Sequence, residues 1–167
     1  MQLYLMRHGI ALDVGEQGIK RDAERPLSPE GIHKTTAIAA GLAALEIRLD
    51  AIGTSPLIRA RQTAQIVAEA IGRRATFEEC PALAPGGAPE DVFAWLRSHA
   101  VEAVLLTGHM PDLADLASVC LSGRESVNLV FKKAGVCCIA FEGAPAKSQG
   151  QLEWLMQPRH LVALGTR

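Results

Sequence analysis

Short apolar runs alternate with amphipathic stretches along this chain. Leu3 to Met6 is apolar and stops at Arg7-His8-Gly9, the pattern of a buried strand running into a loop. His8 is therefore expected at the C-terminal end of a strand. Asp13 to Arg25 is polar and contains glycine, with Asp22, Glu24 and Arg25 close together, and reads as a surface loop able to cover a site. Ser28-Pro29-Glu30 supplies a capping hydroxyl, a proline at the first helical position and an acid in the first turn. With Ile32, Ala39, Leu42 and Leu45 near helical spacing, it predicts a helix to about Glu46. Asp50 to Ser55 reads as another short strand, broken by Pro56. A second helix is predicted from about Leu57 to Ile71, with Ile66, Val67 and Ala70 facing inward.

The second half repeats the alternation. After a segment rich in proline and glycine (Pro81 to Pro89), Glu90 to His99 suits a helix, Ala103 to Leu106 a buried strand and Pro111 to Leu121 a helix. Val136 to Phe141 and Leu152 to Met156 are expected to finish the chain as adjacent antiparallel strands. Strands alternating with helices imply an α/β fold with a largely parallel sheet covered on both faces, and in such sheets functional groups collect at the strands' C-terminal ends. His8, Ser55 and His109 all fall at such ends. No repeat or linker divides residues 1–167, and the length suits one domain.

Composition narrows the function. A net charge of -1 argues against general binding of nucleic acid, so any affinity for phosphate must be local. The four cysteines show no CxxC spacing, and Cys137 and Cys138 would point to opposite faces of a strand, which suits neither a zinc site nor a disulfide framework. A reducing compartment follows. The apolar run before Arg7 is too short for a signal segment and no stretch is long enough to span a bilayer, so a cytoplasmic protein without membrane attachment is expected.

Three segments carry candidate chemistry. Arg7-His8-Gly9 combines a cation, an imidazole and a residue without a side chain, which would let a phosphoryl group approach the backbone. Arg59 lies in the first turns of the second predicted helix, where its guanidinium fork would clamp a phosphate near the positive helix end. Arg61, two residues on, cannot share that face. Gly108-His109-Met110-Pro111 places a second histidine before a helix. Taken singly, each has a commonplace reading as a solvated or capping residue.

Together these segments resemble the histidine phosphatase superfamily of phosphoglycerate mutase-like enzymes. The resemblance lies in Leu5-Met6-Arg7-His8-Gly9, Arg25-Pro26-Leu27-Ser28 with Gly31, Ser55-Pro56-Leu57 through Arg59 to Gln62-Thr63-Ala64, and Gly108-His109-Met110-Pro111. The short chain, Arg-Pro-Leu-Ser and Gly-His-x-Pro-Asp-Leu look most like the small bacterial phosphohistidine phosphatases of the SixA type. That resemblance implies a three-layer fold, His8 as nucleophile, and Arg7, Arg59 and His109 as catalytic groups around the phosphoryl. Arg25 and Gly9 would add substrate contacts. It implies no metal or other cofactor, and a phosphorylated protein such as a histidine phosphotransfer domain as partner.

The chemistry fits that expectation. Arginines crowded around His8 disfavour its imidazolium and keep a ring nitrogen available for attack. A phosphohistidine substrate releases imidazole, a far better leaving group than an alkoxide, which needs a dedicated acid. The larger relatives carry a glutamate for that purpose. Glu78 and Glu79 lie in about the right region, and Asp13 or a water is an alternative donor. Three other readings remain open here. They are a phosphomonoesterase of the same superfamily acting on a small metabolite, an inert phosphate-sensing module, and a metal hydrolase using His109, Asp112 and Asp115. An enzyme acting on a protein needs an open site, so Asp13 to Arg25 is expected to be a short flap and not a closing lid.

Overall fold

The computed structural model describes residues 1–72 and 74–166. Six strands form one mixed sheet, β1 (Gln2–Arg7), β2 (Ala51–Thr54), β3 (Thr76–Glu79), β4 (Ala103–Gly108), β5 (Val136–Ala140) and β6 (Gln151–Met156), in the order β3-β2-β4-β1-β5-β6. The first four run parallel, and β5 is antiparallel to both β1 and β6. Five helices cover it: α1 (Pro29–Ala44), α2 (Ile58–Ile71), α3 (Pro89–His99), α4 (Asp112–Ser122) and α5 (Pro158–Gly165). This is the three-layer α/β architecture expected from the sequence.

The two-residue period of the strands sorts their side chains between two apolar layers. Leu3 and Leu5 of β1, Val104 and Leu106 of β4, and Cys137 and Ile139 of β5 pack with Phe93 and Leu96 of α3 and Leu113 and Leu116 of α4. Tyr4, Met6, Leu105, Val136 and Cys138 face the other way, toward Ile38 and Leu42 of α1, Val67 of α2 and Leu161 of α5. Cys137 and Cys138 thus lie on opposite faces, as their adjacency predicts, and all four cysteines are buried free thiols.

Ser28 caps α1, its hydroxyl accepting from the Gly31 amide at 3.0 Å. The buried face of α1 is Gly31, Thr35, Ile38, Ala39 and Leu42, while Ile32 is exposed, contrary to expectation. The reason is a close backbone approach. A Cβ on Gly31 would stand 1.9 Å from the Ile10 carbonyl oxygen, so Gly31 and not Ile32 sets the inward face. On α2 the inward residues are Arg59, Ala60, Thr63, Ala64 and Val67, while Ala70 is exposed and Ile66 half-buried.

The chain does not end on β6, because Pro158 starts α5, whose Leu161 is fully buried beside α1. A Cβ on Gly41 of α1 would meet the Leu161 carbonyl oxygen at 1.9 Å, so the two helices pack backbone to backbone. The Asp13 to Arg25 segment is a mostly exposed flap holding two short 3-10 turns, Glu16–Gly18 and Asp22–Glu24. No helix among the described residues is long and apolar enough to cross a membrane.

Candidate active site

Three parallel strands deliver the site at their C-terminal ends. β1 ends on Arg7 and leads to His8, β2 leads to Ser55, and β4 leads to His109. The ladder continues past the strands: the His8 amide donates to the Gly108 carbonyl at 3.0 Å and the Ser55 amide to Thr107 at 2.9 Å. α2 is docked against the same loop. Thr63 donates its hydroxyl to the Arg59 carbonyl at 2.7 Å and accepts from the Gly9 amide at 3.0 Å. Arg59 is thereby carried under the histidines, and its side chain is only 5% exposed.

The hydrogen bonds fix which nitrogen of each ring carries the proton. His8 Nδ1 lies 2.7 Å from the Gly9 carbonyl, which only accepts, so Nδ1 is the N–H and Nε2 keeps its lone pair. Nε2 accepts from Arg59 Nε at 3.3 Å. His109 Nδ1 accepts from Arg59 Nη2 at 3.3 Å, leaving Nε2–H to donate to Ser55 Oγ at 2.8 Å. The two imidazole rings stand 5.1 Å apart with one guanidinium between them.

Both histidines stay neutral. Burial pushes His8 down to about 3, opposed by its hydrogen bond to Gly9, with smaller contributions from His109, Arg59 and Arg7. His109 falls to about 4 through burial and then Arg59, with Asp22 pulling the other way. Burial therefore exceeds the arginines as the cause, a different order from the one the sequence suggested.

Arg7 donates from Nη1 to the Phe131 carbonyl at 2.8 Å, while its buried Nε has no partner. A buried donor left unpaired costs about 1–3 kcal/mol, and a phosphoryl oxygen would satisfy it. Arg61 faces away, as predicted, and is ion-paired to Glu79 at 3.7 Å.

Arg25 and Gly9 sit at the site in other ways than expected. The Arg25 guanidinium ties the flap together, donating to the Leu12 carbonyl at 2.5 Å, Asp22 at 2.9 Å and Asp13 at 2.7 Å. Gly9 packs against α1: a Cβ there would meet Thr35 Oγ1 at 2.4 Å and Leu27 at 3.1 Å. Glu78 is hydrogen-bonded to His99 at 3.0 Å, on the outer edge of the sheet.

Asp22 is the residue the sequence reading left unassigned. Its carbonyl accepts from Arg59 Nη1 at 2.8 Å and its carboxylate from Nη2 at 2.9 Å. Arg25 first, and then Arg59, hold this carboxyl below the usual range. Its closeness to Arg25 in sequence was visible; its reach to Arg59 depends on the fold. Among the described residues no group of three His, Cys, Asp or Glu side chains gathers to hold a metal ion.

A neutral histidine with one unprotonated nitrogen, set between buried Arg59 and half-buried Arg7, is the equipment for taking up a phosphoryl group. Comparison with known proteins agrees. A family model for the histidine phosphatase superfamily (branch 1) matches residues 3–84. An uncharacterized protein of Picosynechococcus is 37% identical over 168 residues, covering 97% of this chain and 99% of its own. This chain belongs to the histidine phosphatase superfamily, in its SixA type.

Phosphohistidine phosphatase SixA of Escherichia coli is 27% identical to this chain over 165 residues, covering 96% of each chain. The structure of a protein histidine phosphatase SixA complexed with tungstate superposes with a TM-score of 0.83 at 27% identity, covering 96% of this chain and 99% of the other. The superfamily match ends at residue 84, so His109 and its strand enter through the whole-chain likenesses.

Proposed function

We propose that this superfamily member removes the phosphoryl group from phosphohistidine on another protein, through a phosphoenzyme at His8. The observation that carries the reading is the unprotonated Nε2 of His8, its lone pair held toward Arg59 Nε at 3.3 Å by the Nδ1–H bond to Gly9. Nε2 attacks phosphorus, and the N–P bond to the substrate's imidazole breaks as the new one forms. The departing imidazole takes a proton from solvent. Water then attacks the same phosphorus, the bond to Nε2 breaks and inorganic phosphate leaves.

Arg7 and Arg59 stabilise charge on the equatorial oxygens, where positioning and electrostatics supply most of the catalysis. His109, held by Ser55, completes the pocket. A phosphoryl dianion beside it favours a proton on Nδ1, which then becomes a further donor.

The placement of the glutamates supports phosphohistidine over an ester. Glu78 is hydrogen-bonded to His99 and Glu79 lies 3.7 Å from Arg61, so both glutamates have partners other than the histidines of the site. An alkoxide leaving group needs an acid at hand, whereas imidazole with an unperturbed pKa of about 6.5 leaves without one.

A protein substrate is supported by the rim. Val130 is 66% exposed, yet its carbonyl accepts from Gln157 Nε2 at 2.6 Å and the next carbonyl, that of Phe131, from Arg7. A preformed apolar knob followed by exposed Lys132 and Lys133 therefore borders the pocket. Turnover of a phosphohistidine-bearing phosphotransfer domain, a phosphoserine peptide and a sugar phosphate, measured side by side, tests the reading. Clearance of phosphohistidine alone is expected; comparable turnover of the esters overturns the assigned substrate.

A further inference from the structure

Asp22 holds the guanidinium that a phosphoryl group needs. Its carboxylate is on Arg59 Nη2 at 2.9 Å, the nitrogen that also lies 3.3 Å from His109 Nδ1. Nε of the same guanidinium faces His8 Nε2 at 3.3 Å. A carboxylate oxygen thus shares Nη2 with His109, one nitrogen away from the Nε that faces His8, among the N–H groups that an anion transferring to His8 must find.

The two partners are not equally fixed. The Arg59 side chain is 5% exposed and anchored in the wall, whereas that of Asp22 is 55% exposed and carried on the flap. Arg25 keeps its bonds to Leu12 and Asp13 independently of Asp22, so the flap has an anchor that survives if Asp22 lets go. A second anion brought to the same guanidinium is repelled at close range by the Asp22 carboxylate already on it.

We infer that Asp22 is an anion gate: its carboxylate occupies Arg59 in the manner of a phosphoryl oxygen and is exchanged for one as the substrate binds. The inference rests on the proposed reading only in placing a phosphoryl group at Arg59. The gate sets a threshold for entry. A singly charged carboxylate ligand gains little by replacing a tethered carboxylate, whereas a phosphoryl dianion brings more charge and more acceptor oxygens.

Calorimetric titration of inorganic phosphate into the wild-type protein, Asp22→Asn and Asp22→Ala tests the gate, with circular dichroism to verify folding and Arg59→Ala as the variant that loses the anion site. Both Asp22 variants are expected to bind phosphate about 5-fold or more tightly than wild type, with KM for a phosphorylated substrate falling in step. Unchanged or weaker phosphate binding overturns the gate and makes Asp22 a support for Arg59. A fall in kcat with unchanged phosphate affinity also overturns it, in favour of a proton donor. Phosphate binding requires no turnover, so the gate is read separately from the substrate: tighter binding without phosphohistidine activity keeps the gate and removes the assigned substrate.

Discussion

Arg59 Nε stands 3.3 Å from His8 Nε2, the one ring nitrogen of that histidine left with a lone pair. One guanidinium therefore orients the nucleophile and is placed to receive the charge of the transferring group. Arg59→Lys keeps the positive charge but loses the planar fork that reaches both histidines. Steady-state kinetics of this variant should show kcat lowered by about 10²–10³-fold, the usual cost of removing a preorganised donor. A loss under threefold would mean that Arg59 is a structural cation of the wall and not part of the machinery.

The buried histidines predict a pH-dependent stability. In the unfolded chain each titrates near its ordinary value of about 6.5, whereas the folded protein lowers His8 to about 3 and His109 to about 4. Below pH 6.5 the unfolded state takes up protons that the folded state refuses. The associated stability is complete above pH 6.5 and is lost as the pH falls toward these folded values, each histidine contributing a slope of up to about 1.4 kcal/mol per pH unit. Urea unfolding between pH 6 and pH 5 should be measurably less steep in pH for His8→Ala than for wild type. Equal slopes would contradict the burial assigned to His8.

Gly9 offers a test of why a position beside the nucleophile lacks a side chain. A Cβ there would press on Thr35 Oγ1 at 2.4 Å, so Gly9→Ala should displace the His8 loop and reduce activity. Thr35→Ala removes that oxygen, itself buried and unpartnered, at little cost. The double variant Gly9→Ala, Thr35→Ala should recover most of the lost kcat/KM. Without recovery, the glycine is needed for the approach of the phosphoryl group, as the sequence alone suggested.

The rim beside Arg7 should matter only for a macromolecular substrate. Lys132→Glu with Lys133→Glu reverses two exposed charges next to Phe131, whose carbonyl holds Arg7. KM for a phosphohistidine-bearing protein should rise by about 5-fold or more, while turnover of phosphoramidate changes little. An equal effect on both substrates would place the lysines inside the pocket, and no effect on either would remove them from recognition.

Much of this site is legible in the sequence because it lies where local patterns change. Leu3 to Met6 ends abruptly at Arg7-His8, and Ser28-Pro29 announces α1 in a form that its capping bond reproduces. What escapes is set by distant packing. β3 presents four exposed residues and no apolar alternation, since it is the sheet's edge. α5 escaped as well, a short helix following directly on a strand, although Pro158 stands at its start as prolines do at helix N-termini. Asp22 lies in a polar loop with no periodicity, and its bond to Arg59 spans 37 residues. The carbonyl of Phe131 that holds Arg7 is 124 residues away, beyond any local rule.

The central claim is that His8 carries the phosphoryl group during turnover, and rapid-quench trapping of the phosphoenzyme tests it most directly. Mixed with a radiolabelled phosphohistidine protein and quenched in alkali within one turnover, the wild-type chain should carry acid-labile, alkali-stable label that maps to His8, and His8→Ala should carry none. Full dephosphorylation by His8→Ala, or label on any other residue, would contradict the account.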